Sequence, residues 1–264
     1  IKFKIMNIQR FYFLVTINLL MIFNINSQEP LSEGTKNDCD NCKVKPGDLS
    51  KFSDALKDSK IHYYTNSGTL KLDLKKAQEI CDVNYFAACD GLMVLTSTGK
   101  KNDRTEIRQN KNLSLNKYSA MDFSAVIENA PTSNPKKGVT IGQIHNDAEG
   151  VKRPLLRVEI AGGNAVRVVV TDSYLKGEGD TDNDFFTSFK NKDQIDCKIE
   201  INGANNKISV TVKNVTTSKS ETKSYTVSKL WLEKDGEFYF KAGAYTQVDG
   251  PKTKVSYSKF QFLY

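Results

Sequence analysis

Histidine is nearly missing from this 264-residue chain: there are two, His62 and His145, and neither stands at ligand spacing from a pair of its five cysteines. That scarcity argues against a zinc site. No phosphate-binding glycine loop, Gly-x-Ser-x-Gly elbow or His-Glu-x-x-His helix occurs, which removes several enzyme classes at once. After Ile25 there is no long apolar run, so no further segment has the roughly 20 apolar residues of a spanning helix. Massed positive charge is absent too. The net charge is +7, but the basic residues are scattered among acids, which is not the pattern of a nucleic-acid binder.

What the chain does have begins with an export signature. Lys2, Lys4 and Arg10 precede an apolar stretch from Phe11 to Ile25, and Ser27 offers a small residue before the polar Gln28-Glu29-Pro30. Residues 1–27 read as a secretory signal peptide. Their removal takes the charge from +7 to +4, a mild excess that suits an acidic ligand if several cations converge on one face. Residues 28–48 read as a polar leader or linker. Residues 49–264 read as one domain of a size common for sandwich folds. In an exported chain disulfides are the default. Cys81 with Cys89 is the first expectation because they are near in sequence; the connectivity of Cys39, Cys42, Cys81, Cys89 and Cys197 stays open, and the odd count leaves one thiol over. A secreted monomer, without a membrane partner once the signal is cleaved, is expected.

Helix-like spacing of Leu49, Phe52 and Leu56, then Leu74, Ala77 and Ile80, predicts helical structure within 49–80. From Ala87 on, short β-like segments follow one another. They are Leu92–Leu95, Met121–Ile127, Val139–His145, Leu155–Ile160, Ala165–Thr171, Asp196–Ile201, Lys207–Val212, Ser224–Leu232, Glu237–Gln247 and Lys254–Phe262. Gly162-Gly163-Asn164, Asn202-Gly203 and Asp235-Gly236 punctuate them as turns. This predicts an all-β chain: an antiparallel sandwich with short helices near the N-terminus.

Three of the segments carry polar groups in alternation, which puts them on one face of a strand. Tyr239, Lys241, Gly243, Tyr245 and Gln247 share a face, opposite Phe240, Ala242, Ala244 and Thr246. Gly243 leaves room for something to approach the backbone. Arg104, Glu106 and Arg108 form a second rack, in which the carboxylate would hold the guanidiniums and leave one fork for a ligand carboxylate. Gln143 and His145 set an amide beside an imidazole at the entrance to a polar loop. Alone, the first stretch reads equally well as a solvated strand face, the second better as a surface ion-pair ladder, and a lone histidine is more often structural.

Together, and in this order, Arg104-Thr105-Glu106-Ile107-Arg108, Gln143-Ile144-His145 and Tyr239-Phe240-Lys241-Ala242-Gly243-Ala244-Tyr245-Thr246-Gln247 resemble the alginate lyases of polysaccharide lyase family 7. The likeness extends through Asp90-Gly91-Leu92-Met93-Val94 and Trp231 and covers roughly residues 85–264. The Trp-Lys-Leu-x-Leu-Pro opening of many members is missing around Phe52 to Leu56. The resemblance implies a jelly-roll β-sandwich with a concave substrate groove. It makes Arg108, Gln143, His145 and Tyr245 the catalytic set, with Lys241 as a close helper and Arg104, Glu106 and Gln247 along the same groove. Arg157, placed only by alternation, is a further subsite candidate.

Alginate is a chain of mannuronate and guluronate, each with a carboxylate at C5. Cutting its 1,4 link by β-elimination requires neutralising that carboxylate, removing the C5 proton and protonating the departing O4. Arg108 and Gln143 suit the first task, His145 the second on guluronate, and Tyr245 the third; on mannuronate Tyr245 serves as both base and acid. No metal or organic cofactor is called for. In the family, Ile at the middle of the Gln-x-His strand accompanies activity on guluronate, and this chain has Ile144. A lyase for another polyuronate such as glucuronan, or a non-catalytic sugar-binding sandwich, are the alternatives. A panel of polyuronates assayed for the ultraviolet absorbance of the unsaturated product separates them.

Overall fold

The computed structural model describes residues 42–64, 77–175, 180–186 and 188–264. A short helix, α1 (Ser50–Lys57), comes first and turns Phe52, Ala55 and Leu56 inward, the i, i+3, i+4 spacing of a single helical stripe. Fourteen strands follow among the described residues: β1 (Ser59–Tyr64), β2 (Phe86–Cys89), β3 (Leu92–Ser97), β4 (Arg104–Gln109), β5 (Ser119–Glu128), β6 (Gly138–Asn146), β7 (Leu156–Ala161), β8 (Ala165–Thr171), β9 (Asp180–Phe186), β10 (Gln194–Asn202), β11 (Lys207–Asn214), β12 (Lys219–Thr226), β13 (Phe238–Thr246) and β14 (Thr253–Leu263). A second short helix, α2 (Lys229–Leu232), lies between β12 and β13.

The strands form two antiparallel sheets of seven. One runs β1-β4-β13-β6-β7-β8-β9 and the other β12-β11-β10-β5-β14-β3-β2. The core lies between them. Ile107, Ile144, Val158, Ala242 and Ala244 of the first sheet face Met121, Phe123, Ile199 and Tyr257 of the second, all without exposed surface. Because side chains alternate, burying that set commits the opposite face of the first sheet to Arg104, Glu106, Arg108, Gln143, His145, Lys241 and Tyr245.

The sandwich agrees with the sequence reading, and four local expectations change. Residues 49–80 are not all helical: Ser59–Tyr64 is a strand, paired along β4 from Ser59↔Gln109 to Tyr64↔Arg104. The alternation of Ile61 with its polar neighbours decides it. Ala77–Glu79 is a single 3₁₀ turn, and Leu74 lies outside the described residues. The segment Ser224–Leu232 is a strand only to Thr226. Its end coils into α2, which lets Trp231 be fully buried and donate from Nε1 to the Thr171 carbonyl at 2.6 Å. Asp180–Phe186 is an additional strand, pairing with β8 at the sheet edge.

The fourth change is in the disulfides. Cys81 is bonded to Cys42, not Cys89, with Cα atoms 5.8 Å apart. Cys89 is itself disulfide-bonded. Closing a loop across a sequence separation of 39 restricts the unfolded chain and contributes about 4 kcal/mol in the chain-entropy picture. Pro46 and Gly47, just after Cys42, are buried, so this part of the polar leader packs on the domain. The leftover thiol is Cys197 of β10, which is buried between its cross-strand partners Phe123 and Val212.

Gly243 sits opposite Glu106 on β4, and the pairing of β13 with β6 slips by one residue between Ala242 and Tyr245, a β-bulge. The backbone that uses the missing side chain is β4 itself: a Cβ on Gly243 would lie 2.1 Å from the Thr105 carbonyl oxygen and 2.7 Å from the Glu106 Cα. Gly243→Ala therefore has to push two paired strands apart. It should lower stability by about 1–3 kcal/mol and reduce activity through the displaced Glu106 and Tyr245. A thermal melt superimposable on wild type would show that β4 moves aside without cost.

Candidate active site

A cleft of about 240 Å³ opens on the polar face of the first sheet, lined by Arg104, Gln143, His145, Arg157 and Tyr245 together with Lys152, Arg153, Pro154 and Thr171. Four of these are cations and none is a carboxylate. A larger cleft, about 430 Å³ between α1 and the end of β14, matches Lys51 and Lys57 with Asp54 and Asp58 and so lacks that bias.

The register explains why the cleft residues converge. Arg108, Lys241, Gln143 and Arg157 are successive cross-strand partners on β4, β13, β6 and β7, and Arg104 and Tyr245 pair two rows further on, past Glu106 and Gly243. The Arg104 guanidinium lies 4.0 Å from the centre of the Tyr245 ring, a cation–π contact that aims the phenol.

Beneath the cleft lies a buried ion pair. Lys241 Nζ is 2.5 Å from Glu106 Oε2, with the two side chains 4% and 1% exposed, and Gln143 Nε2 donates to Glu106 Oε1. Burial would raise the Glu106 carboxyl, but the Lys241 ammonium and then Arg104 outweigh it and hold the group below its ordinary range. The sequence reading gave Glu106 to the arginines along the groove and made Lys241 a close helper of the catalytic set. They instead bond to each other under its floor. With Gly243 directly across from Glu106, the carboxylate is free to meet Lys241 and Gln143.

Arg108 is held from another side. It donates through Nη2 to Asp147, and its guanidinium lies 3.8 Å from the centre of the Tyr239 ring. Tyr239 stacks in turn on His145, with centroids 5.6 Å apart and planes 16° apart, and its hydroxyl is 3.3 Å from His145 Nδ1. The Tyr239 ring thus contacts both the guanidinium and the imidazole. Burial raises the Tyr239 phenol, so it stays a hydroxyl. His145 Nδ1 lies 3.1 Å from the Asn146 carbonyl oxygen, and the tautomer that donates there leaves the lone pair of Nε2 for a ligand. Burial, then the nearby Lys241, lowers the His145 pKa to about 4, so the ring is neutral at neutral pH.

Five of the nine residues chosen from the sequence line the cleft. Glu106 and Lys241 support it from below, Arg108 flanks it behind Tyr239, and Gln247 bonds through Nε2 to Thr140 Oγ1 at 2.5 Å and is not part of the lining. Tyr239, Asp147, Lys152, Arg153 and Thr171 were not picked out. Tyr239 had been placed on the correct strand face, and Asp147 lies in the polar loop directly after His145. Their roles depend on pairings across strands. Among the described residues no three His, Cys, Asp or Glu side chains gather as metal ligands would.

This sandwich, with a cationic cleft on one sheet, is the fold of the polysaccharide lyases of family 7. Alginate lyase A1-II', described as a member of that family, is similar at a TM-score of 0.67 and 19% identity, over 83% of this chain and 98% of that one. Alginate lyase AlyC3 is similar at 0.66 and 18%, over 85% and 96%. The alginate lyase from Corynebacterium sp. is similar at 0.62 and 16%, over 83% and 97%. A1-II' has been seen with a substrate GGMG and a product GGG, and AlyC3 with dimannuronate. No curated protein matches the sequence. The family model for alginate lyases matches residues 56–263, and the chain belongs to the alginate lyase family.

The buried histidine gives a pH signature. Between its ordinary value of 6.5 and about 4, the unfolded chain takes up a proton that the folded one refuses. His145 therefore contributes stability that is complete above pH 6.5 and is lost as pH falls towards 4. Glu106, held below its ordinary range, acts in the same sense at lower pH. The melting temperature should fall over that window, and His145→Asn should flatten the fall. Equal slopes for the two proteins would show that the imidazole is not buried in its neutral form.

Proposed function

We propose that this alginate lyase cuts the 1,4 link by β-elimination with Arg108, Gln143, His145 and Tyr245 as its catalytic set, and that it prefers guluronate-containing blocks. The observation carrying the reading is the cleft itself, where an amide, a neutral imidazole and a phenol lie among four cations with no carboxylate facing them. Coulomb attraction draws a polyuronate into such a cleft. Once a uronate is bound, Arg108 answers its C5 carboxylate with the donors that Asp147 leaves unused. Gln143 keeps one amide hydrogen for the same group while the other goes to Glu106.

The base takes the C5 proton, the freed electron pair becomes the C4–C5 double bond, and the C4–O4 bond breaks. Tyr245 gives its proton to the departing O4. His145, uncharged and open at Nε2, is the base for guluronate. Negative charge grows on the carboxylate as the proton leaves, so Arg108 and Gln143 contribute more in the transition state than in the ground state. Arg104 and Arg157 bind flanking uronates. Glu106 and Lys241 act by holding Gln143 in place. Export also fits the reading, since the Cys42–Cys81 disulfide belongs to an oxidising compartment.

Tyr245→Phe should retain the fold and polymer binding while losing about 10²–10⁴-fold in turnover, measured as the rise of ultraviolet absorbance from the unsaturated product. Near wild-type turnover would remove the phenol from the mechanism.

The block preference rests on Ile144, which is fully buried in the core between the two residues it positions, Gln143 and His145. One methylene more or less at that point shifts the strand and re-aims both groups at the sugar. The two uronates carry the C5 proton on opposite ring faces, so the aim of the base matters. Initial rates should be higher on separated polyguluronate than on polymannuronate at equal uronate concentration. Faster cleavage of polymannuronate would overturn the preference and leave the lyase assignment standing.

A further inference from the structure

Six lysines, Lys100, Lys136, Lys137, Lys190, Lys192 and Lys252, stand exposed on four loops at one end of the sandwich. The loops are residues 98–103, 129–137, 188–193 and 247–252, and they are tied together. The Gly250 N–H donates to the Gly99 carbonyl at 2.9 Å, Ser133 Oγ to the Asp249 carbonyl at 2.9 Å, and the Asn129 N–H to Asn191 Oδ1 at 2.5 Å. None of the six ammonium groups forms an ion pair among the described residues.

The acids at this end are already engaged. Asp103 accepts from Thr98 Oγ1, Asp193 accepts from the Lys190 N–H and from Asn214, Asp249 accepts from the Lys101 N–H, and Glu128 faces Lys254. The other end of the sandwich differs, its loops interleaving Asp147, Glu233 and Asp235 with Lys111, Lys152 and Lys234. The four loops carry seven lysines, Lys101 included, against the carboxylates of Asp103, Asp193 and Asp249, and this positive excess at one end suits an extended anion.

The patch borders the groove. Arg167 of β8 donates from Nη1 to the Lys136 carbonyl at 3.2 Å, and Arg104, which lines the cleft, donates from Nε to the Asn102 carbonyl at 3.3 Å. We propose that these six lysines are a docking surface for a second stretch of the polyuronate chain whose scissile unit occupies the cleft. The inference rests on alginate being the substrate. A long polymer held at two places rebinds at a raised effective concentration, whereas a tetrasaccharide that fills only the cleft has nothing to offer the patch. Contacts between exposed ammonium groups and carboxylates are also screened by salt.

The test compares wild type with the fourfold variant Lys136→Gln, Lys137→Gln, Lys190→Gln and Lys192→Gln, on polymeric alginate and on an alginate tetrasaccharide, at low and raised salt. The variant should raise KM for the polymer on the order of 10-fold with kcat unchanged, leave tetrasaccharide kinetics unaltered, and flatten the salt dependence of the polymer KM. Affinity electrophoresis through a gel containing alginate reads binding without turnover, and the variant should be retarded less than wild type. Equal retardation and equal polymer KM would overturn the docking surface. If wild type cleaved neither substrate, the catalytic reading would fail, and the electrophoresis would still decide the surface.

Discussion

The contact on which the site depends is the ion pair between Glu106 and Lys241, almost entirely out of water. Removing two charges from solvent is costly, and the cost is recovered only where geometry is good and the remaining donors and acceptors are used. Here the sheet brings Lys241 to one carboxylate oxygen of Glu106 and the Gln143 amide to the other. Glu106 comes from β4, Lys241 from β13 and Gln143 from β6, so one carboxylate ties three adjacent strands on the polar face. The glycine opposite Glu106 is what makes room.

That division of charge shapes everything on the polar face. Below the floor, opposite charges cancel. In the cleft, Arg104, Lys152, Arg153 and Arg157 line a space containing no acid and attract anions, while burial and then Lys241 keep His145 neutral. A site that had let Arg104 and Arg108 pair with Glu106 would have spent its carboxylate-binding capacity on itself. Arg108 does have a carboxylate, Asp147, but that side chain is 41% exposed, where ion pairs are weak and exchange easily.

Much of this was legible in the sequence because strand alternation is a strict rule. Knowing that Ala242 and Ala244 are buried places Lys241 and Tyr245 on the polar face without further information. The arginine rack and the Gln-x-His pair follow in the same way, as does the sandwich from its string of short strands and turns. Alternation does not say which residue of one strand meets which residue of another. Hence the partner of Glu106 was misassigned, and the stack of Arg108, Tyr239 and His145, assembled from β4, β13 and β6, was missed. Periodicity also fails on short segments. Ser59–Tyr64 lay within a helix-like spacing of apolar residues, and the coil of Lys229–Leu232 ran on from a strand pattern. The disulfide of Cys81 was misread because nearness along the chain was taken for nearness in space.

The unpaired Cys197 gives the fold a particular way to fail. Its sulfur is buried in the middle of the second sheet, and burial pushes the thiol pKa up, so in the native state it neither ionises nor reaches another sulfur. Heating that opens β10 from β5 and β11 releases a free thiol in a molecule that also contains the Cys42–Cys81 bridge. Thiolate attack on that bridge then exchanges one disulfide for another, a reaction that competes with refolding. Any such exchange waits on the opening of the second sheet, a step remote from the cleft on the first.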